Sequence, residues 1–440
     1  MMRTVLGTGL LVMAMGLGTT RAAASVVVVD GSGGGDYETI QEAIDASEDG
    51  DVIQVRPGVY TDSGQWVADC SQKAITLEGV GGAAQTVIDG QGTRPGVLFH
   101  DYGNNGHENK IEGFTIRNCV SNLWGAGIRV EIGPTTIRHC VFEDNGQANR
   151  YAGAINATGQ TLIESCTFRR NIGVNCGAVS GSSATIRECL FEFNEAVYSA
   201  GAIWTRGPQA SPMQVYDCVF RHNTSGLDAG AVRVCCGSSM IMSGCEFEYN
   251  SCGDRGGAIQ VETDNSDGNI IEDTVFVQCH AAQSGGAIWT GADVQLSTID
   301  ISQCTALVGG AIYIDANTNT QSQLTNSKIW RNTSDVDGAV AVASSDGQEL
   351  VVSDTMFCGN LEQDLSGSWI DAGGNDWGGT SCPWECDEDI TGDFIVGVDD
   401  LLVVLDRFGT TSQVADINGD GIVDVNDILM IVSAWGPCEQ

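Results

Sequence analysis

Oxygen-bearing side chains fall at fixed intervals in one short stretch near the C-terminus. Residues 416–427 put Asp416, Asn418, Asp420, Asp424 and Asp427 at positions 1, 3, 5, 9 and 12, with Gly421 at position 6. This order suits Ca2+, a hard cation that gathers oxygens around a sharp turn only glycine makes easily. The expected ligands are Asp416, Asn418, Asp420, the backbone carbonyl of Ile422, Asp424 through a water, and Asp427 as the closing bidentate carboxylate. A plain acidic turn would not need Gly421 where it stands. A weaker copy starts 27 residues earlier and keeps Asp389, Thr391, Asp393 and Asp400. There Phe394 replaces the turn glycine, and Gly397 offers no side chain at position 9. Each loop leads into an apolar stretch, 401–408 and 428–435, expected to be helical.

The larger part of the chain must carry these loops, and it is a repeat. Cys140 and Phe142, then Asn145, recur as Cys166, Phe168, Asn171 and as Cys189, Phe191, Asn194. Cys218, Phe220, Asn223 and Cys245, Phe247, Asn250 continue the series. The Asn position, read from 119 to 360, returns every 23 to 29 residues, with Cys119, Cys279 and Cys304 in its place. A short loop and a Gly-Gly-Ala-Ile segment follow, intact at 256–259, 285–288 and 309–312. Such a period means one supersecondary unit per repeat. The units are short apolar runs between Gly and Asn turns, with no sustained helical period. Cys and Phe, two apart, share one strand face, and the apolar residue three before the Cys needs a bend to face the same core. Several strands and bends per coil make a parallel β-helix. Like residues then stack about 4.8 Å apart, and ten coils give a rod on the order of 50 Å long. Asn at the bend is expected to accept left-handed backbone angles and to bond to the neighbouring coil.

The Ala-Ile strand also defines an outer row. Its Ile faces the core, so the next residue faces away. That position reads Arg129, Asn156, Ser180, Trp204, Arg233, Gln260, Trp289, Tyr313 and Ala341. The expected stripe is exposed, and its aromatic residues with Arg129, Arg233 and Gln260 suit an extended sugar chain. Trp204 and Trp289 would stand three coils apart, roughly 14 Å. A lyase would need an Arg or Lys base near a carboxylate-bound calcium, and a hydrolase would need paired carboxylates. Neither set assembles from the sequence. His100, His107, His139, His222 and His280 lack metal-ligand spacing.

The chain has 440 residues, and 57 acidic against 20 basic ones give a formal charge of −37. That balance argues against nucleic acid or an anionic membrane as partner. Arg3, an apolar run over 5–17 and the alanines 22–24 read as a secretory leader, too short to span a bilayer. Export permits disulfides among the 17 cysteines. The cysteines at 140, 166, 189, 218 and 245 nonetheless read as a buried ladder of small side chains, because Thr274, Ile299, Ser327 and Thr355 take the same slot later. Cys358 with Cys382, and Cys386 with Cys438, are the candidate disulfides.

Three resemblances follow from these residues. The opening Asp36, Tyr37, Thr39, Ile40, Gln41, Ala43, Ile44 resembles the N-terminal cap of right-handed β-helix proteins of the pectin-lyase-like superfamily; Ile40, Ala43 and Ile44 fall on one side of a short helix. The Phe-x-x-Asn and Gly-Gly-Ala-Ile marks resemble the polymorphic outer-membrane protein repeat. That resemblance implies a passenger-type, often adhesive β-helix, here without that family's membrane barrel. The two loop-helix units resemble a type I dockerin, which implies docking to a cohesin-like protein. Val398, Asp399 and Val425, Asn426 stand where that family usually carries hydroxyl residues.

The expected organisation is a leader over 1–24, an all-β right-handed parallel β-helix over 25–366, a linker over 367–386 and a small α-helical calcium module over 387–440. The expected function is that of a secreted or surface-attached protein that binds extracellular polysaccharide or a cell-surface partner. The alternative is a polysaccharide lyase or glycoside hydrolase tethered by the module.

Overall fold

The computed structural model describes residues 24–100, 108–149, 151, 153–158, 160–207, 212–262, 268–316, 321–344, 350–378, 388–391, 395–410, 415–418 and 420–437. The leader through residue 23, Asp393, His107, Cys382, Cys386 and Cys438 lie outside them.

The coils stack as the repeat predicts. One coil runs through strands Thr161–Glu164, Thr167–Arg169, Ile172–Gly173 and Val179–Gly181. Each strand pairs in parallel with its counterpart one coil away, which builds sheets of 14, 13, 7 and 12 strands in that order round the coil. The Phe rings of the repeat form one column inside the rod: Phe142, Phe168, Phe191, Phe220, Phe247 and Phe276 stack at centroid separations of 4.5 to 4.9 Å. Each such pair adds about 0.5–1.5 kcal/mol beyond the area it buries.

The Asn column satisfies every polar atom it buries. Asn171 Oδ1 accepts from the backbone N–H and the Nδ2 of Asn145, and its own Nδ2 donates to the Phe142 carbonyl and to Asn194 Oδ1. The expectation about backbone angles needs correction. The left-handed residue is not the Asn but the one before it, as at Asp144 (φ 54°), Arg170 (φ 54°) and Phe193 (φ 55°). The bend must point the Asn side chain inward, so the strained angle falls on the exposed residue ahead of it. A second left-handed bend precedes the Cys slot, at His139, Ser165, Glu188 and Asp217; this is the bend required between the two inward-facing runs.

The Cys column is buried and unbonded at Cys140, Cys166, Cys189, Cys218 and Cys245. Burial pushes the thiols of Cys119, Cys176 and Cys252 up to about 12. Cys358 is disulfide-bonded.

Helix α1, Ile40–Ala46, closes the N-terminal end. Thr39 and Glu42 form a capping box, and Ile40, Ala43 and Ile44 are buried. At the other end the rod runs past residue 366. Strands Leu365–Gly367, Trp369–Gly373 and Asp376–Trp377 make a further coil on the three large sheets. Its residues break the repeat pattern but fill the same slots: Trp377 stacks on Phe357 at 4.9 Å, and Asn375 Oδ1 accepts from Thr355 N. Residues 367–377 are therefore rod, not linker.

Beyond it, helices α2 (Val398–Asp406) and α3 (Val425–Ser433) share a small core of Ile390, Val396, Val404, Ala415, Val423 and Ile431. Both helices start ahead of the apolar stretches read from sequence because Gly397 and Asp424 are the N-caps. Among the described residues no helix is long and apolar enough to cross a membrane.

Candidate functional site

The outer row aligns residue by residue. Arg129, Asn156, Ser180, Trp204, Arg233, Gln260, Trp289, Tyr313 and Ala341 are successive register partners in the 12-stranded sheet. Its exposure differs from the expectation. Asn156, Ser180, Gln260, Trp289 and Ala341 are buried, and Trp204, Arg233 and Tyr313 are half-buried. Neighbouring turns reach over the row. Asp228 pairs with Arg233 at 3.1 Å and accepts from Gln260, Ser199 accepts from Arg233 at 2.7 Å, and the Arg255 guanidinium lies 4.9 Å over the Trp289 ring. Glu262 also contacts Arg233, and Glu131 pairs with Arg129. The cations that looked free are neutralised, and one aromatic is roofed. Strand alternation says which way a side chain points, not what lies above it.

One part of the row stays open, and residues outside it complete the site. Trp124 belongs to the coil of Arg129, three coils from Trp204, yet their ring centroids are only 5.5 Å apart. The two rings therefore meet across the intervening coils of Asn156 and Ser180. Tyr151, 53% exposed, lies 5.0 Å from Trp124. The Arg206 guanidinium sits 3.8 Å over Trp124 and 5.1 Å from Trp204. Three rings from three coils, and an arginine on the strand of Trp204, thus form an aromatic platform with a cationic rim. Leu123, the residue before Trp124, lines an adjoining cleft of about 540 Å³ with Trp66, Arg94 and Gln147. Trp124 and Tyr151 stand five residues before Arg129 and Asn156, at a place that other coils fill with Asn175, Ser199, Asp228 and Arg255, so residue type at that place did not mark them, and Arg206 lies two residues past Trp204.

Two further features border this face. Cys235 and Cys236 form a disulfide between adjacent residues, and the Trp204 indole N–H donates to Cys235 Sγ at 3.1 Å. Glu131 also holds His100 Nδ1 at 2.6 Å. A base candidate held by a carboxylate is the nearest approach to acid–base machinery on this flank.

In the C-terminal module the second loop folds around its acidic side chains. Asp416 accepts from Asp420 N and Gly421 N, Asp420 from Ile422 N, and Asn418 Oδ1 from Asp420 N. Gly421 has φ 94°, as the sixth position requires. Asp424 caps α3 and is half-buried. Asp427 is fully buried and accepts from Ile417, Asn418 and Asp424 N–H groups. Burial raises its pKa, but those three donors outweigh it and hold the carboxyl below its ordinary value. In the first loop Asp389 and Asp400 are buried, and the Thr391 hydroxyl donates to Asp400 at 2.9 Å. Among the described residues no three carboxylates of either loop bring oxygens within 4.8 Å of one another. The donors fit a hard cation by type and charge, with Asp427 a buried anion that has no described ion-pair partner. They would bind it through the mixed set of carboxylates, the Asn418 amide and the Ile422 carbonyl rather than through a carboxylate cluster.

Residues 91–266 match the family model described as the right handed beta helix region. With three long parallel sheets running the length of the rod and a fourth through seven of its coils, this decides the architecture. The chain is a right-handed parallel β-helix. No curated protein matched its sequence. Among solved structures this β-helix is similar to the catalytic unit of a thermostable GH87 α-1,3-glucanase from Streptomyces thermodiastaticus, at 12% identity over 78% of this chain, with a TM-score of 0.44. The β-helix chain spans 66% of that unit's length. It is also similar to the A-module of mannuronan C-5 epimerase AlgE6 from Azotobacter vinelandii (15% identity, 79% of this chain, 95% of that one, TM-score 0.47). A third similarity is to pectin methylesterase from carrot (15% identity, 67% and 85%, TM-score 0.32). At such identities the likeness concerns the fold alone.

Proposed function

We propose that the β-helix is the polysaccharide-binding part of an exported, surface-associated protein, and that its C-terminal loop-helix pair binds Ca2+ and docks to a cohesin-like partner. The observation that carries the glycan reading is the platform of Trp124, Tyr151 and Trp204. Aromatic rings offer flat apolar faces to sugar rings, and Tyr151 remains open to solvent. Trp204 keeps its role from the sequence reading. Arg129, Arg233, Gln260 and Trp289 are less available to a sugar, because carboxylates or neighbouring turns hold or cover them; Tyr313 stays half-buried in the row. The test is retention of the full chain on immobilised neutral and acidic polysaccharides. Trp124→Ala with Trp204→Ala should abolish retention while the thermal midpoint shows an intact rod. Unchanged retention sinks the reading.

A second reading, a polysaccharide lyase or glycoside hydrolase, draws on His100 held by Glu131. New unsaturated or reducing ends released by the purified chain, and lost in His100→Ala, would establish it in place of the first.

A further inference from the structure

The chain is strongly acidic, so its arginines should not lack partners. Arg56, Arg117, Arg129, Arg138, Arg169, Arg170, Arg187, Arg221, Arg233 and Arg255 all pair with carboxylates. Arg206 has no ion pair among the described residues. It lies half-buried against two indoles, beside the open ring of Tyr151, and Gly207 after it faces open space. Burial draws its pKa down. Arg94, at the adjoining cleft, repeats the pattern. Its Nη1 is buried without a hydrogen-bond partner, and its other nitrogens reach only the Thr93 hydroxyl, at 3.4 Å.

A partly buried charge without a partner is costly unless something supplies one. Two such arginines on one flank, next to the aromatic platform, leave room for an anion from outside. We propose that this flank selects saccharides bearing an anionic group, carboxylate or sulfate, with the sugar ring on Trp124 and Tyr151 and the anion on the Arg206 guanidinium. Arginine suits this role because its planar fork binds an oxyanion through two parallel hydrogen bonds and stacks on an indole at the same time. The negative field of the whole chain opposes a polyanion at long range, but it is screened beyond about 8 Å at physiological salt. Selection therefore rests on the local contact.

This inference rests on the glycan reading, and the test separates the two. Binding of the full chain is measured at physiological salt to polygalacturonate, to the same polymer with its carboxyls reduced, to dextran sulfate and to dextran. The expected result is tighter binding to at least one acidic polymer than to its neutral counterpart. Arg206→Gln should lose about tenfold on that polymer and little on the neutral one, as expected for losing one charge-assisted contact. Arg206→Lys should recover part of the loss, and equal thermal midpoints exclude a folding defect. The carboxylate and sulfate arms tell which anion is read. Equal binding to acidic and neutral polymers, or an unaffected Arg206→Gln, overturns the anion selectivity and leaves the platform standing. No binding to any polymer overturns both.

Discussion

Asn171 Nδ2 donates to Asn194 Oδ1 at 2.9 Å, and the backbone N–H of Asn171 donates to the same oxygen at 3.1 Å. One side chain thus closes the bend of the preceding coil, and both groups are fully buried. Asn194→Ala strips the Asn171 backbone N–H and the Phe168 carbonyl of these partners and leaves Asn171 Nδ2 with only the Phe142 carbonyl, at about 1–3 kcal/mol for each buried group left unpaired. Urea unfolding should show a loss of about 3 kcal/mol or more. Asn194→Cys should cost less, because Cys304 fills the same slot and its sulfur accepts from Cys279 N at 3.3 Å.

The second bend offers a gain. Asp273 is held at φ 48°, while Gly244 and Gly113 fill the same place in other coils. A left-handed angle costs a non-glycine residue about 1–2 kcal/mol, part of which glycine's greater unfolded freedom takes back. Asp273→Gly should stabilise the rod by about 0.5 kcal/mol or more in the same urea experiment. A loss of stability would mean that the Asp273 side chain makes a contact worth more than the strain.

The cysteines should divide by exposure. Burial holds the Cys119, Cys176 and Cys252 thiols far from ionisation at neutral pH, whereas Cys236 is exposed. Thiolate is the reactive form. Mild reduction followed by alkylation and peptide mapping should label Cys236 and leave Cys140, Cys166, Cys189, Cys218 and Cys245 unlabelled until the chain is unfolded. Because Cys235 Sγ accepts from the Trp204 indole, reduction should also change tryptophan fluorescence.

The second loop of the C-terminal module predicts a pH response with a definite sign. The folded pKa of Asp427 lies below its ordinary value. Its contribution to module stability is therefore complete above the unfolded carboxylate range and disappears as pH falls through the lowered value. Calcium uptake by the full chain, followed by titration, should decline over the same acidic window. Asp427→Ala should abolish uptake at the second loop at neutral pH; unchanged uptake would remove Asp427 from the ligand set.

Much of the rod was legible because its information is periodic. The recurrence of Cys, Phe and Asn determined the coil and its inward columns, and through strand alternation the order of the outer row from Arg129 to Ala341. The final coil was hidden because Trp377 and Asn375 fill the slots with residues of other types. The position of the left-handed angle was hidden as well, since it falls on whatever residue precedes the Asn.

Residue types and their periods were enough for whatever recurs or is local: the stack, its cap at Ile40–Ala46 and the spacing of the two C-terminal acidic loops. Which outward side chains meet solvent depended on the folded rod, because cover comes from turns of neighbouring coils whose reach no local pattern encodes. Asp228 and Arg255 close over Arg233 and Trp289, while Trp124 meets Trp204 from three coils away and Arg206 lies over its ring.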